Sequence, residues 1–315
     1  MHPALSVIFF TTVSGAGYGL LFLLGFILAA DPHLYSRVDT LAMLATGSIF
    51  AVAGLISSLL HLGQPQRAWR ALSQWRSSWL SREGVASFCS FVPVVALAFF
   101  LLRDGSDGSM RALGAALATT AVVTIFCTSK IYTSLKTIHA WHNGLVLPGY
   151  LLLGLLEGAT LLWTLLSLTG GMGISGFVPA LVSLLAVTSA ACKRSYWTFI
   201  DTTQHPATVE SATGLGRFGS VRSVEAPHTE ENYLTREMGF VLARKHSSKL
   251  RGMALLLFGG APIIFAIVAL TWPALDFLSA SLACISVIAG TFVERWLFFA
   301  EARHVVMLYY GATNA

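Results

Sequence analysis

This sequence has few charged residues. Only 11% of its 315 residues are charged, whereas 55% are hydrophobic and the mean hydropathy is +0.70. A soluble globular protein carries about 25% charged residues, so the composition excludes an ordinary soluble domain and indicates an integral membrane protein. The net positive charge does not indicate nucleic-acid binding, because the basic residues lie in loops beside the apolar runs.

Cysteine is scarce as well. Isolated cysteines cannot supply the thiolate sets that hold iron–sulfur clusters or structural zinc, and they do not form a disulfide framework. We interpret them as small side chains packed between helices, and we expect no metal site in this chain. Each of the four stands alone within an apolar run, without a C-x-x-C pair: Cys89, Cys127, Cys192 and Cys284.

Long apolar runs fill most of the sequence. A helix that crosses the hydrocarbon core of a bilayer needs about 20 mostly apolar residues, and eight segments meet that requirement. The sequence therefore predicts an all-α integral membrane protein, a single polytopic domain built as a bundle of eight transmembrane helices. The predicted spans cover residues 4–30, 41–62, 84–102, 112–131, 144–168, 174–192, 253–271 and 277–299.

The distribution of lysine and arginine predicts the orientation of the bundle. Seventeen of the 20 basic residues fall on the side that holds both termini, and three fall on the other side. Cytoplasmic loops carry the excess of lysine and arginine, so both termini are predicted to be cytoplasmic. The one long loop, residues 194–250 between the sixth and seventh spans, is predicted to lie on that side and to dock a partner or contact membrane lipids.

The connection between the second and third spans gathers side chains suited to a lipid-soluble quinone. His61 and Arg67 offer hydrogen-bond donors to a carbonyl that gains negative charge on reduction. Glu83 can relay the protons that the reduction consumes, and Gly63 lets the backbone turn close to the ring. The alternatives are a structural histidine and an arginine that binds lipid phosphate. Tryptophans are expected to wall the site: Trp69, Trp75 and Trp79.

Glu157 is the only carboxylate that the predicted spans place deep in the membrane. Ionisable groups at such depth are costly and mark functional sites by default. Glu157 is therefore a candidate for a proton path, with a hydrogen bond to a neighbouring helix as the alternative. A b-type haem is not expected, because the histidines nearest the spans lie at their ends rather than facing each other inside: His61, His139, His142 and His304.

Three parts of the sequence resemble one family. The segment HPALSVIFFTTVSGAGYG at residues 2–19, the motif HLGxPxRA at 61–68 and Glu83 resemble the membrane anchor subunit of dimethyl sulfoxide reductase-type molybdoenzymes. The resemblance covers essentially the whole sequence and implies a haem-free anchor. Such an anchor holds a catalytic molybdopterin subunit and a ferredoxin-like iron–sulfur subunit, and it exchanges electrons between their clusters and ubiquinone or menaquinone.

The same resemblance assigns the candidate quinone-site residues. The positions that match the family's quinone site are His61, Gly63, Arg67 and Glu83. Some relatives carry a functional tyrosine late in the third span, where this protein has Phe99 and Phe100. That contact is therefore not expected here.

Residues 227–234 and 236–240 resemble the branch attached to cytoplasmic sulfite-oxidising molybdoenzymes. Together with the charge distribution, this implies a subunit of a sulfite:quinone oxidoreductase in a bacterial inner membrane. The molybdenum chemistry then belongs to a partner subunit on the cytoplasmic face. The alternatives are an anchor for a reductase that oxidises menaquinol, a purely structural anchor, and a secondary transporter.

Overall fold

The computed structural model describes residues 4–60, 64–103, 105–169, 176–203, 206–222, 224–225, 230, 232 and 242–312. Eight helical segments in these ranges are long and apolar enough to cross a membrane, which confirms the predicted all-α bundle of eight spanning helices. The first six are α1 (Leu5–Ala30), α2 (Arg37–Leu59), α3 (Trp79–Leu102), α4 (Asp107–Thr133), α5 (Val146–Thr169) and α6 (Phe177–Thr202).

The last two spanning segments follow a short helix, α7 (Val209–Thr213). The seventh, His246–Thr271, combines the end of α8 (Leu242–Ala254), a π-helical turn (Leu255–Gly260) and α9 (Ala261–Thr271). The eighth contains α10 (Asp276–Ala300). Within the described ranges, short 3₁₀ segments lie between or after the spans: Pro65–Gln74, Gly216–Phe218, Pro273–Leu275 and Val305–Tyr310.

α1 lies at the centre of the bundle and packs against α2, α4, α5 and α10. A Cβ atom at Gly17 would lie 2.5 Å from the backbone nitrogen of Ala51, and one at Gly19 would overlap the carbonyl oxygen of Gly154. Small residues allow such close approach of helix backbones in membranes. This helix therefore joins a first half, α1–α4, to a second half, α5–α10.

Several helices extend beyond the spans predicted for them, and the extensions of α3 and α6 bear on the site. α3 begins at Trp79, after the N-cap Ser78, so that Glu83 lies inside the helix rather than before it. α6 continues to Thr202 instead of ending at 192, because apolar side chains such as Trp197 resume after the basic pair at 193–194 and keep one face of the helix buried. The segment 194–202, predicted as loop, is therefore helical.

One end of the bundle is closed by the connecting segments. α3 and α5 begin there, and α4, α6 and α10 end there; we call it the Glu83 end. The Val305 backbone N–H donates to the Thr137 carbonyl at 3.1 Å, and the Tyr309 hydroxyl donates to the Ala212 carbonyl at 2.6 Å. Tertiary contacts thus tie the 3₁₀ segment after α10 to the α4–α5 loop and to α7.

Candidate functional site

The start of α3 directs Glu83 into the bundle. The neighbouring Arg82 guanidinium donates to the backbone carbonyls of Trp75 at 2.9 Å and Arg76 at 2.7 Å. It also lies 4.2 Å from the ring centroid of Trp79. These contacts fasten the preceding segment to the outside of the helix, while the side chain of Glu83 is buried on the inside at 5% exposure.

Glu83 meets a hydroxyl group on α4. The Thr128 Oγ1 lies within hydrogen-bond distance of the Glu83 carboxyl group and 3.1 Å from the Thr124 carbonyl oxygen. A hydroxyl has one proton to donate but can also accept. Thr128 can therefore donate to an ionised Glu83, or accept from a protonated Glu83 and donate to Thr124. Among the described residues no cation forms an ion pair with Glu83, and the site accommodates either protonation state.

A narrow gap lies beside Thr128, where α1, α4, α5 and α10 meet. It has room for about one water molecule. Tyr18 and Tyr150 line it, and their buried hydroxyl groups make no hydrogen bond of ordinary length within the described ranges. Buried polar groups of this kind typically bind water. The gap is lined by Thr11, Ser14, Gly15, Tyr18, Ile125, Thr128, Tyr150, Gly154 and Arg295.

Arg67 and Trp69 do not join Glu83 in the bundle interior. His61 and Gly63 lie outside the described residues. Arg67 and Trp69 are on the 3₁₀ segment Pro65–Gln74, and both side chains are exposed, Trp69 to 66%. No ion pair links Arg67 to Glu83 among the described side chains.

Only one of the three tryptophans expected at the quinone site packs against the helix bundle. Trp69 and Trp75 are exposed, because the segment that carries them lies outside the helix bundle. Trp79 packs edge-on against Phe126 of α4, with ring centroids 5.9 Å apart. Of the three tryptophans, Trp79 alone packs against the bundle, and their part in a quinone site stays a prediction.

Glu157 is buried at 1% exposure in the middle of α5. A Cβ atom built on Gly15, which lines the gap, would lie 3.3 Å from the Glu157 Oε2. Glu157 is thus adjacent to the gap. Its Oε1 has no hydrogen-bond partner of ordinary length in the part of the sequence that the structure describes, although Thr291 lies nearby.

Glu157 is not the only carboxyl group buried in the described part of the bundle. Glu294 of α10 is fully buried, and its carboxylate lies 2.5 Å from the Lys193 Nζ and 3.3 Å from the Arg295 Nη1. The orientation predicted from lysine and arginine places Lys193 and Arg295 in loops, yet both side chains are buried. The sequence does contain a sign of this cluster, since Glu294 and Arg295 lie inside the predicted eighth span, the 23 residues 277–299.

No three side chains of His, Cys, Asp or Glu lie close enough to hold a metal ion in the described ranges. The four cysteines form no disulfide. The ionisable groups of the described interior are carboxyl, ammonium, guanidinium, phenol and thiol groups.

Comparison with known proteins gives matches over nearly the whole sequence. The family described as DMSO reductase anchor subunit (DmsC) matches residues 1–311. The sulfite dehydrogenase C subunit of Allochromatium vinosum is 32% identical over 337 aligned positions, which cover 98% of this protein and 99% of that one. The anaerobic dimethyl sulfoxide reductase C subunit of Escherichia coli is 29% identical over 42% of this protein and 47% of its own length. Its counterpart in Haemophilus influenzae is 25% identical over 51% and 58%.

Proposed function

Because this protein belongs to the family of DMSO reductase anchor subunits, as a multi-pass membrane subunit of an oxidoreductase complex, we propose that it passes electrons from a ferredoxin-like iron–sulfur subunit to a quinone. The observation that carries the proposal is Glu83, a buried carboxyl group with a hydroxyl partner that can both donate and accept. Reduction of a quinone consumes protons as well as electrons, so its site needs such a group.

The proposed roles of the site residues follow from their chemistry. His61 hydrogen-bonds to the quinone and helps to protonate it, and Glu83 relays protons to it. Arg67 stabilises negative charge on the reduced ring, Gly63 allows close approach of the backbone, and Trp69 offers an apolar face. Arg67 and Trp69 are exposed at the Glu83 end, the end at which a quinone dissolved in the bilayer would meet this connecting segment. We further propose that Glu157, beside the gap, belongs to the proton path.

The substrate proposal comes from the relatives. One relative that matches nearly the whole sequence is named as a subunit of sulfite dehydrogenase. We propose that the complex oxidises sulfite to sulfate at a catalytic molybdopterin subunit, and that ubiquinone or menaquinone accepts the electrons here. The excess of basic residues at the Glu83 end supports docking of both partner subunits on the cytoplasmic face of a bacterial inner membrane.

A second candidate is the reverse flow of electrons, from menaquinol to a dimethyl sulfoxide-type reductase. It is favoured by the likeness to two proteins named as part of anaerobic dimethyl sulfoxide reductase, although these matches cover about half of this sequence. The two candidates use the same quinone site. They differ in whether the purified complex oxidises sulfite or reduces dimethyl sulfoxide.

The first test is purification through a tag on this protein in mild detergent, with metal analysis and assays with sulfite and with dimethyl sulfoxide. We expect molybdenum, iron and two further polypeptides to copurify, and sulfite to reduce added quinone. Activity with quinol and dimethyl sulfoxide alone would select the second candidate. A stable polypeptide that carries no metal and no partner would contradict both.

The second test compares Glu83→Gln with wild type in the same complex. We expect quinone-dependent turnover to fall by about 100-fold or more, with assembly unchanged, and His61→Ala to have a similar effect. The matched control is Glu210→Gln, which changes a half-buried glutamate on α7, outside the spanning helices. Unchanged turnover in both His61 and Glu83 variants would reject the proposed site and leave a purely structural anchor.

A further inference from the structure

Three charged side chains are buried together between α6 and α10. Lys193, Glu294 and Arg295 are 4%, 0% and 2% exposed. Both cations contact the one carboxylate, at 2.5 Å and 3.3 Å, and each also lies over an aromatic ring, Lys193 over Tyr196 at 3.7 Å and Arg295 over Tyr150 at 3.6 Å. None of the three has a role in the proposed quinone site.

Charged groups connect this cluster to the surface at the Glu83 end. The Arg251 guanidinium forms ion pairs with Glu301 at 2.9 Å and with Asp201 at 2.6 Å. The Asp201 side chain is 56% exposed, whereas that of Glu301 is 7% exposed. Burial raises the pKa of the Glu301 carboxyl, while Arg251 and Lys193 act in the opposite direction. Ionisable groups thus extend from water to the buried cluster.

On its other side the cluster borders the gap beside Thr128. Arg295 lines the gap together with Tyr150, whose hydroxyl has no partner of ordinary hydrogen-bond length among the described residues. Thr128, which contacts Glu83, also lines the gap. One water molecule in the gap would stand between the charged cluster and the Thr128–Glu83 pair.

We propose that these groups form the proton-uptake path of the quinone site: from Asp201 and Glu301 at the surface, through Lys193 and Glu294, to water in the gap, and on to Thr128 and Glu83. The proposal rests on the proposed function, since it supplies the protons of quinone reduction. Each step breaks an O–H or N–H bond on the donor and forms one on the acceptor. The two electrons come from the iron–sulfur partner, and two protons pass for each quinone. Arg295 keeps its proton and remains a fixed positive charge beside the gap.

Helix packing alone does not account for this arrangement. Replacing a buried ion pair with apolar residues of similar volume is often neutral or stabilising, because the desolvation cost offsets the attraction between the charges. Ionisable groups inside a membrane bundle are rare and are associated with ion and proton pathways. A string of them that runs from the surface to the neighbourhood of a proton-consuming site is therefore better explained by transport of protons than by stability.

The test uses the complete complex with its partner subunits, reduced methyl viologen as electron donor and decylubiquinone as acceptor. The double variant Lys193→Met/Glu294→Gln removes both members of the ion pair together, and Tyr150→Phe removes only a hydroxyl at the gap. We expect the double variant to reduce quinone about tenfold more slowly and Tyr150→Phe several-fold more slowly. Both should show a larger solvent deuterium isotope effect, an unchanged KM for decylubiquinone, and partial rescue by formic acid as a diffusible proton donor.

Matched controls come from the opposite end of the bundle. His33→Gln/Asp107→Asn removes an exposed pair at 2.9 Å, and Tyr35→Phe makes the same substitution as Tyr150→Phe away from the gap. Neither control should change the rate or the isotope effect. If the double variant does not assemble, Tyr150→Phe decides the outcome alone.

Unchanged rate and isotope effect in the assembled variants would overturn the proton path. The proposed function would still stand if Glu83→Gln remained inactive in the same assay. If Glu83→Gln were fully active, or if wild type reduced neither decylubiquinone nor a menaquinone analogue, the proposed quinone site itself would fail. A raised KM without a change in isotope effect would assign the cluster to structure and would also reject the path.

Discussion

Glu83 and Glu294 are two buried glutamates at the same end of the bundle, with opposite surroundings. Glu83 on α3 contacts one neutral hydroxyl group, that of Thr128. Glu294 on α10 lies between the ammonium group of Lys193 and the guanidinium group of Arg295. A buried carboxylate without a counter-charge is costly, whereas one paired with cations is compensated.

This difference separates two tasks that one residue type performs. Glu83 can gain or lose a proton with little rearrangement, because Thr128 can accept as well as donate. Glu294 lies between two cations inside an apolar bundle, so it is ionised at rest and holds a proton only in transit. The first arrangement suits exchange of protons with a substrate, and the second suits an ionised relay group that accepts a proton and passes it on at once.

The largest contrast is expected from the same substitution at the two positions. Glu294→Gln leaves buried cations without their carboxylate and should lower the free energy of unfolding in detergent by about 3–5 kcal/mol. Glu83→Gln keeps a partner for Thr128 and should cost about 1 kcal/mol or less. Denaturant unfolding of both variants measures the contrast. Equal losses of stability would show that the surroundings of the two glutamates do not differ in the way described.

An intermediate effect is expected when Glu83 loses its partner. Thr128→Val keeps the shape of the side chain but removes the hydroxyl, so a buried carboxyl oxygen is left unsatisfied and the free energy of unfolding should fall by about 1–3 kcal/mol. Thr128→Ser should restore most of it. The control is Thr119→Val on the exposed face of α4, where the hydroxyl donates only to its own helix. A similar loss of stability in that variant would show that contact with Glu83 is not the cause.

The smallest effect is expected at the surface of the same end. Burial lowers the pKa of His304, whose Nδ1 accepts the Val306 N–H at 3.0 Å. The folded protein therefore binds this proton less readily than the unfolded chain. The contribution of neutral His304 to the stability of the folded protein is therefore complete above its ordinary pKa of 6.5, and it is lost as the pH falls below that value.

Hydrogen exchange in Val305–Tyr310, corrected for the intrinsic pH dependence, measures this effect. We expect about threefold faster exchange at low pH. His304→Asn keeps an N-cap acceptor but does not titrate, and it should abolish the pH dependence. The same pH dependence in that variant would exclude His304 as its cause.

The sequence was sufficient for the spanning helices, because a run of about 20 apolar residues has few other stable structures. It was also sufficient to predict that Glu83 is an ionisable group close to a spanning helix. It could not show that Glu83 lies inside α3, because the start of that helix depends on the Ser78 N-cap and on the contacts of Arg82 with the preceding segment.

The buried cluster could not be derived from local pattern. Lys193 follows the apolar part of its span and resembles the basic residues of a loop, and only contact with α10 makes its burial tolerable. Glu294 and Arg295 are adjacent in sequence, but their partners come from α6 and α5. Pairing between helices that are distant in sequence is a property of the tertiary structure, and the distribution of charged residues along the sequence does not predict it.

The ion pair between α6 and α10 also bears on the order of events during synthesis. Lys193 emerges from the ribosome about a hundred residues before Glu294. At roughly 5–20 residues per second, its partner follows about 5–20 s later. During that interval α6 carries an ammonium group with no carboxylate to meet it, close enough to the end of the span for the long side chain to reach water. The ion pair that holds this ammonium group in the interior can therefore form only after α10 has been made.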